Sequence, residues 1–282
     1  MKKEKEFTPQ QQELPGDQNK MKPEPILIRK SYNGSGKLNN KVALITGGDS
    51  GIGASAALHF AKEGANIVLV YLSETKDAMS VKTQIENMGR KCIIIKKDLT
   101  EETNCQFCVE KCIEEYGQLN IVVNNAAVQF PQDSLLDIDK KQLLKTFETN
   151  IYPYFYLTKA ALEYLTSDDV IINTSSVTAY RGSEYLVDYA STKGAIVSFT
   201  RSLSAQLAAK KIRVNGVAPG PIWTPLIPSS FDDVTQFGKD TPMGRAGQPC
   251  EVGPAYVFLA SEDSSYITGQ FIHINGGEII NG

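Results

Sequence analysis

Short runs of consecutive apolar residues, at about 42–46, 66–71, 92–95, 119–123, 170–173, 212–217 and 271–274, alternate with longer stretches of helical periodicity. This alternation constrains the fold more than any other feature of the chain. A strand with one wet face reads apolar-polar-apolar, whereas a continuous apolar run must be covered on both sides. The intervening stretches, about 52–63, 78–88, 101–116, 139–165, 185–209 and 251–260, supply that cover as helices, the first two closed by Gly64 and Gly89. The pattern predicts an α/β protein with a mainly parallel, seven-stranded sheet between two layers of helices. With 282 residues, 41% of them hydrophobic, there is material for one large core and no sign of an internal repeat.

Residues 1–38 break the pattern. They are rich in Gln, Pro, Lys and Glu, and Pro15-Gly16, Pro23 and Pro25 interrupt any regular element. The expectation is an N-terminal extension of the disordered-tail kind, followed by a single dinucleotide-binding and catalytic domain over 39–282. Within the extension, Ile26-Leu27-Ile28 is an apolar patch that could dock on the body or on a neighbouring subunit.

A formal charge of −3 gives no reason to expect nucleic acid or an anionic membrane as partner. No run approaches the roughly 18 apolar residues of a membrane span, and the charged, Gln-rich N-terminus lacks the apolar core of a secretory signal. A cytoplasmic protein is expected. Cys105, Cys108 and Cys112 suggest a metal or redox site at first sight, but with Phe107 and Ile113 they recur at helical spacing and no His stands nearby. Buried small hydrophobes, and no metal site, is the better reading. With only His59 and His273, a Ser-His-Asp hydrolase is poorly supported.

The first apolar run leads into Thr46-Gly47-Gly48-Asp49-Ser50-Gly51-Ile52-Gly53 and then a helix. Glycines there let the backbone turn sharply and approach a diphosphate, whose charge suits a helix N-terminus. Placed after the first strand of a doubly wound pattern, the loop predicts a Rossmann-type fold that binds a nucleotide.

The second informative cluster is Tyr189-x-x-x-Lys193. Residues i and i+4 share a helical face. A phenol with a free pKa of about 10 is a poor base near neutrality, but an adjacent cation favours its ionised form and makes a general acid/base of it. Of the 12 tyrosines, only Tyr189 has a Lys four positions on.

Together these motifs resemble the short-chain dehydrogenase/reductase family, compact single-domain branch, over roughly 38–282. The glycine loop matches the family's cofactor loop. Asn124-Asn125-Ala126-Ala127 resembles its Asn-Asn-Ala-Gly motif, with Ala127 in place of the glycine. Asn150 fits the helix asparagine, Ser176 stands at the family's interval before Tyr189, and Pro219-Gly220 with Thr224 matches the segment flanking the nicotinamide. The extension and the close of the chain, Gly269 through Gly277, resemble a bacterial subgroup described as glucose/ribitol-dehydrogenase-like.

The resemblance implies a catalytic set of Asn150, Ser176, Tyr189 and Lys193. It also implies cofactor contacts from Gly47, Asp49, Ser50, Gly51, Ile52, Tyr71, Leu72, Asp98, Leu99, Asn125, Ala126, Ala127, Pro219, Gly220, Ile222 and Thr224, besides Tyr189 and Lys193. Asn150 is implied to hold a water behind Lys193, and Lys193 to hold the nicotinamide ribose. A hydroxyl at Ser176, just past the fifth strand, can stabilise charge on a substrate oxygen; Ser175 competes as the serine that merely satisfies the turn. Asp98 reads as a helix N-cap, with adenine contact implied beside it. Tyr71 and Leu72 stand where an acid would grip a ribose 2′-hydroxyl or a base would meet a 2′-phosphate, and Ser50 is not basic either, so the balance leans to NAD over NADP.

The reading is a reversible oxidation of a secondary alcohol, or of a sugar or polyol hydroxyl, to a carbonyl. A non-catalytic NAD(P)-binding redox sensor is the alternative, disfavoured because it needs none of Ser176, Tyr189 and Lys193. An epimerase or dehydratase is weaker still, with little chain after the sixth strand for a substrate domain. Residues 225–242 read as a mobile lid that excludes neither sugars nor apolar ketones. The helices at 143–165 and 185–207 are apolar on more than one face, which together with the resemblance predicts a homotetramer, and the terminal run Glu278 to Gly282 could reach across a further interface.

Overall fold

The computed structural model describes residues 7–280. Seven strands form one sheet in the order β3-β2-β1-β4-β5-β6-β7, every neighbouring pair parallel. They are β1 (Val42–Thr46), β2 (Asn66–Tyr71), β3 (Cys92–Lys96), β4 (Ile121–Asn124), β5 (Val170–Thr174), β6 (Arg213–Pro219) and β7 (Phe271–Ile274). Among the described residues eight α-helices accompany them: α1 (Gly51–Lys62), α2 (Thr75–Asn87), α3 (Glu102–Tyr116), α4 (Lys140–Asn150), α5 (Tyr152–Ala161), α6 (Thr178–Arg181), α7 (Val187–Leu207) and α8 (Pro249–Ala260).

The continuous apolar runs do what two-sided burial requires. On β1 and β2, Ala43, Ile45, Ile67 and Leu69 pack with α1, α2 and α8, around Phe60 and Tyr256. Their neighbours Val42, Leu44, Val68 and Val70 point the other way, into α3, α5 and α7. Cys105, Cys108 and Cys112 belong to that second core, and burial pushes their thiols up to about 12, so they act as hydrophobes. The strand order reverses between β1 and β4, which opens a crevice at the carboxyl ends of those two strands.

Two local expectations of secondary structure need correction. The single helix at 139–165 is two helices, broken at Ile151, whose φ and ψ of −123° and −51° leave the helical region. Pro153 is the cause: its ring cannot donate to the carbonyl four residues back and would crowd it, so it starts α5 instead. Asp98 does not cap α3, whose N-cap is Glu101; its Oδ1 accepts from the backbone N–H of Thr100, at 3.0 Å, and shapes the turn before the helix.

The extension is not a loose tail over its described part. Leu27 enters the first core, the Ser55 hydroxyl donates to the Leu27 carbonyl (2.7 Å), and the Cys250 N–H donates to the Ile26 carbonyl (2.8 Å). Further on, the Tyr32 hydroxyl donates to Glu63 (2.6 Å). Such docking uses backbone groups and isolated side chains, which leave no periodic signal in a sequence. At the other terminus Ile279 is exposed, and Asn281 and Gly282, part of the run expected at an interface, lie outside the described residues.

Candidate active site

A cleft of about 610 Å³ lies over the carboxyl ends of β1, β2, β4, β5 and β6. Every residue expected at the site borders it except Asn150. Neither histidine does.

At its centre is the glycine turn. Ser50, with extended backbone, precedes α1, and Gly51 has φ +52°, a conformation costly for any residue with a side chain. A Cβ on Gly53 would lie 2.0 Å from the Gly47 carbonyl oxygen, so only glycine lets α1 start so close to the turn. The Thr46 hydroxyl oxygen fixes the neighbouring strand end, accepting from the N–H groups of Asn125 (2.8 Å) and Ala126 (3.1 Å). The Asn125 amide in turn donates to the Thr46 carbonyl at 3.0 Å. This positively polarised helix start, walled by Asn125 and Ala126, fits the diphosphate of a dinucleotide.

At the β2 and β3 end, Tyr71 is buried with its hydroxyl donating to Thr75 (3.3 Å), while Leu72 is exposed. Asp49, in the glycine turn, has its carboxyl pushed up to about 7, first by burial and then by the negative charges of Asp77 and Glu74. That end also holds Glu74, Lys97 and Asp98.

The other end gathers Ser176, Tyr189 and Lys193. Serines 175 and 176, at the end of β5, have different partners. The Ser175 hydroxyl donates to the Lys193 backbone carbonyl (2.8 Å) and so braces β5 against α7. Ser176 accepts from the Thr178 N–H at 3.2 Å and stands beside the Tyr189 phenol, whose ionisation it draws downward. The Lys193 ammonium lies 5.3 Å from the centre of the Tyr189 ring and donates to the Thr174 carbonyl at 3.0 Å. Burial dominates both ionisations. It pushes the phenol up to about 12, against a smaller pull downward from Ser176, and the lysine down to about 7. Burial therefore sets the direction of the phenol's shift, opposite to the one the spacing suggested. At neutral pH Tyr189 carries its proton, the state a proton donor needs.

Asn150 stands behind this cluster, fully buried. Its Oδ1 accepts from the Val128 N–H (2.8 Å), and its Nδ2 donates to the Val128 carbonyl (2.9 Å) and the Thr192 hydroxyl (3.2 Å). It thus clasps the loop after β4 to α7 one residue before Lys193. Both amide hydrogens are committed, leaving one lone pair of Oδ1 for anything else.

Sequence reading missed two sets of groups. The Thr174 carbonyl accepts from Lys193 and also from the Tyr154 hydroxyl, at 3.0 Å each; a backbone acceptor has no residue signature. Leu14, Pro15 and Gly16 of the extension border the cleft, and nothing in an aperiodic segment announced it.

A parallel sheet with a glycine turn at its switch point and a buried Ser-Tyr-Lys cluster at the same edge defines a dinucleotide-type oxidoreductase. Comparison with known proteins agrees. The family model described as Enoyl-(Acyl carrier protein) reductase matches residues 47–278. "Uncharacterized oxidoreductase YhdF" of Bacillus subtilis is 55% identical over 276 residues, covering 97% of this chain and 96% of that protein. "Glucose and ribitol dehydrogenase" of Daucus carota is 49% identical, covering 98% of both. A crystal structure of a short-chain dehydrogenase from Burkholderia cenocepacia in complex with NADP superimposes with a TM-score of 0.80 at 29% identity, over 86% of this chain and 98% of that one. The chain belongs to the short-chain dehydrogenase/reductase family and is an oxidoreductase of that family.

Proposed function

We propose that this protein interconverts a secondary alcohol, a sugar or polyol hydroxyl included, and its carbonyl, using NAD(P). The observation that carries the reading is the grouping of buried Ser176, Tyr189 and Lys193 in the same cleft as the glycine turn. A bound nicotinamide would supply or accept the hydride. Gly47, Ser50, Gly51 and Ile52 would hold the diphosphate, with Asn125, Ala126, Ala127, Pro219, Gly220, Ile222 and Thr224 along the rest of its path, and Lys193 on the ribose. Ser176 holds the substrate oxygen, and Tyr189 gives it a proton in reduction or takes one in oxidation. Lys193 stabilises the phenolate that results. Asn150 positions α7 through Thr192, and its spare lone pair suits a water behind Lys193.

The lean to NAD has physical support at the β2 end. Tyr71 and Leu72 offer no charge, and Glu74 and Asp98 oppose a 2′-phosphate more than Lys97 alone favours it. The NADP bound by the Burkholderia relative is the reason to test both. Polyols, sugars, aldehydes and ketones screened with each dinucleotide, followed by nicotinamide absorbance, test the reaction; absence of turnover with every pair would remove it. A cytoplasmic location fits this cofactor use, and no helix among the described residues is long and apolar enough to cross a membrane.

Assembly belongs to the same reading. On α4 and α5, Thr146, Asn150, Tyr154 and Leu157 are buried, while Leu143, Leu144, Tyr152 and Phe155 leave a second apolar surface, each side chain 38–52% exposed. Burying that second apolar face against a symmetry mate is the economical solution. Light scattering is expected to return about four times the 30.9 kDa chain mass, and a monomer at micromolar concentration would refute the assembly.

A further inference from the structure

The segment at residues 7–24 does more than occupy surface. It touches both rims of the cleft, the glycine turn on one side and the lid at 225–242 on the other. On the first rim, the buried Gln18 side chain accepts a hydrogen bond from the Gly51 N–H (2.9 Å), in the turn that begins α1. Gln18 is itself held: its backbone N–H donates to the buried carboxylate of Asp77 on α2 (2.7 Å), and the Asn19 amide donates to the same group. On the second rim, a Cβ on Gly16 would lie 2.4 Å from the Pro225 carbonyl oxygen, so the backbones meet with no room between them. The Gln12 N–H donates to the Pro228 carbonyl (2.7 Å) and the Gln11 amide to Asp232 (2.6 Å). Behind them the Trp223 indole N–H donates to the Pro23 carbonyl (2.8 Å), and the Phe7 ring stacks on Trp223 with centroids 3.9 Å apart.

The two rims meet at one point. A Cβ on Gly51 would sit 3.0 Å from the Thr224 methyl and 3.7 Å from the Pro225 ring. Gly16 covers Pro225 and Gln18 covers Gly51, so the segment bridges that seam while Leu14, Pro15 and Gly16 face into the cleft.

We propose that residues 7–24 are a strap that forms a fixed wall of the dinucleotide cleft, with Gln18 as the positioning residue that sets the glycine turn and Gly16 as the point that pins the base of the lid. The proposal rests on the dinucleotide reading above and deepens it by adding a cofactor-retaining element from outside the sheet domain. Two consequences follow. Loss of the Gln18 acceptor leaves the Gly51 N–H without its partner in the turn that receives the diphosphate. Displacing Gly16 uncouples that turn from the lid, which favours escape of the ligand.

The test uses the full chain with Gln18→Met, which keeps the volume and removes the acceptor, and Gly16→Val, which cannot approach Pro225. Dissociation constants for NADH and NADPH are measured by nucleotide fluorescence, alongside thermal midpoints. Emission of Trp223, the single tryptophan, reports whether the strap is docked. Each variant is expected to bind its dinucleotide about tenfold or more weakly while remaining folded. Saturating dinucleotide should also protect residues 8–24 of the unaltered chain from limited proteolysis. Should Gly16→Val not fold, Gln18→Met and the proteolysis decide. Folded variants that bind as tightly as the unaltered chain, with no protection of the strap, overturn the strap alone. Failure of the unaltered chain to bind either dinucleotide overturns the dinucleotide reading and the strap with it.

Discussion

Tyr189→Phe is expected to fold, to bind the dinucleotide as the unaltered chain does, and to lose about a hundredfold or more in turnover. The substitution removes one oxygen and keeps the ring. That ring is buried, with the Lys193 ammonium 5.3 Å from its centre, and those contacts persist without the hydroxyl. What goes is the proton that the buried phenol holds at neutral pH, its ionisation pushed up to about 12. Ser176 keeps its place through the Thr178 N–H, which donates to its oxygen at 3.2 Å, so substrate binding should suffer less than rate. The measurement is steady-state kinetics beside a dinucleotide titration. A variant with near-normal turnover would remove Tyr189 from the chemistry; one that no longer binds dinucleotide would instead make the hydroxyl a structural group.

The architecture was legible because it rests on two strong signals. Two-sided burial writes Val42 to Thr46 and its counterparts as unbroken apolar runs, and glycine is required where Gly51 and Gly53 stand, whatever surrounds them. The break at Ile151 was also present in the sequence, as Pro153, but the apolar residues on either side hid it. Burial was harder to read. Spacing put Lys193 beside Tyr189, yet only the fold shows that both are shut away from water, which reverses the expected direction of the phenol's shift. The family interval to Tyr189 favoured Ser176 over Ser175, but the bond from Ser175 to α7 depends on which side chain faces that helix, and sequence position does not tell that. The strap was least legible. Gln18 and Gly16 act through single long-range contacts, and no pattern within residues 1–38 marks them apart from the prolines and glutamines around them.

Lys193→Met is expected to separate the two tasks assigned to the lysine. Methionine is similar in length and carries no charge, and burying it costs less than burying an amine. The fold should hold, because the Thr174 carbonyl that Lys193 engages keeps a second donor in the Tyr154 hydroxyl at 3.0 Å. If the ammonium holds the ribose, dinucleotide affinity falls about tenfold or more, the size of a hydrogen bond to a charged group. The pH profile tests the other task, and its sign follows from the ionisations. Lys193, pushed down to about 7 by burial, sheds its proton first, and the buried phenol follows only at about 12. In the once-deprotonated pair the remaining proton can sit on the lysine, leaving phenolate as the base for alcohol oxidation. Oxidation in the unaltered chain should therefore rise through that first step. The methionine variant has no such partner to receive the proton, so its phenol ionises only at high pH and the rise moves in the basic direction. A variant with unchanged dinucleotide affinity and an unchanged pH profile would leave Lys193 as a buried brace for Thr174 and nothing more.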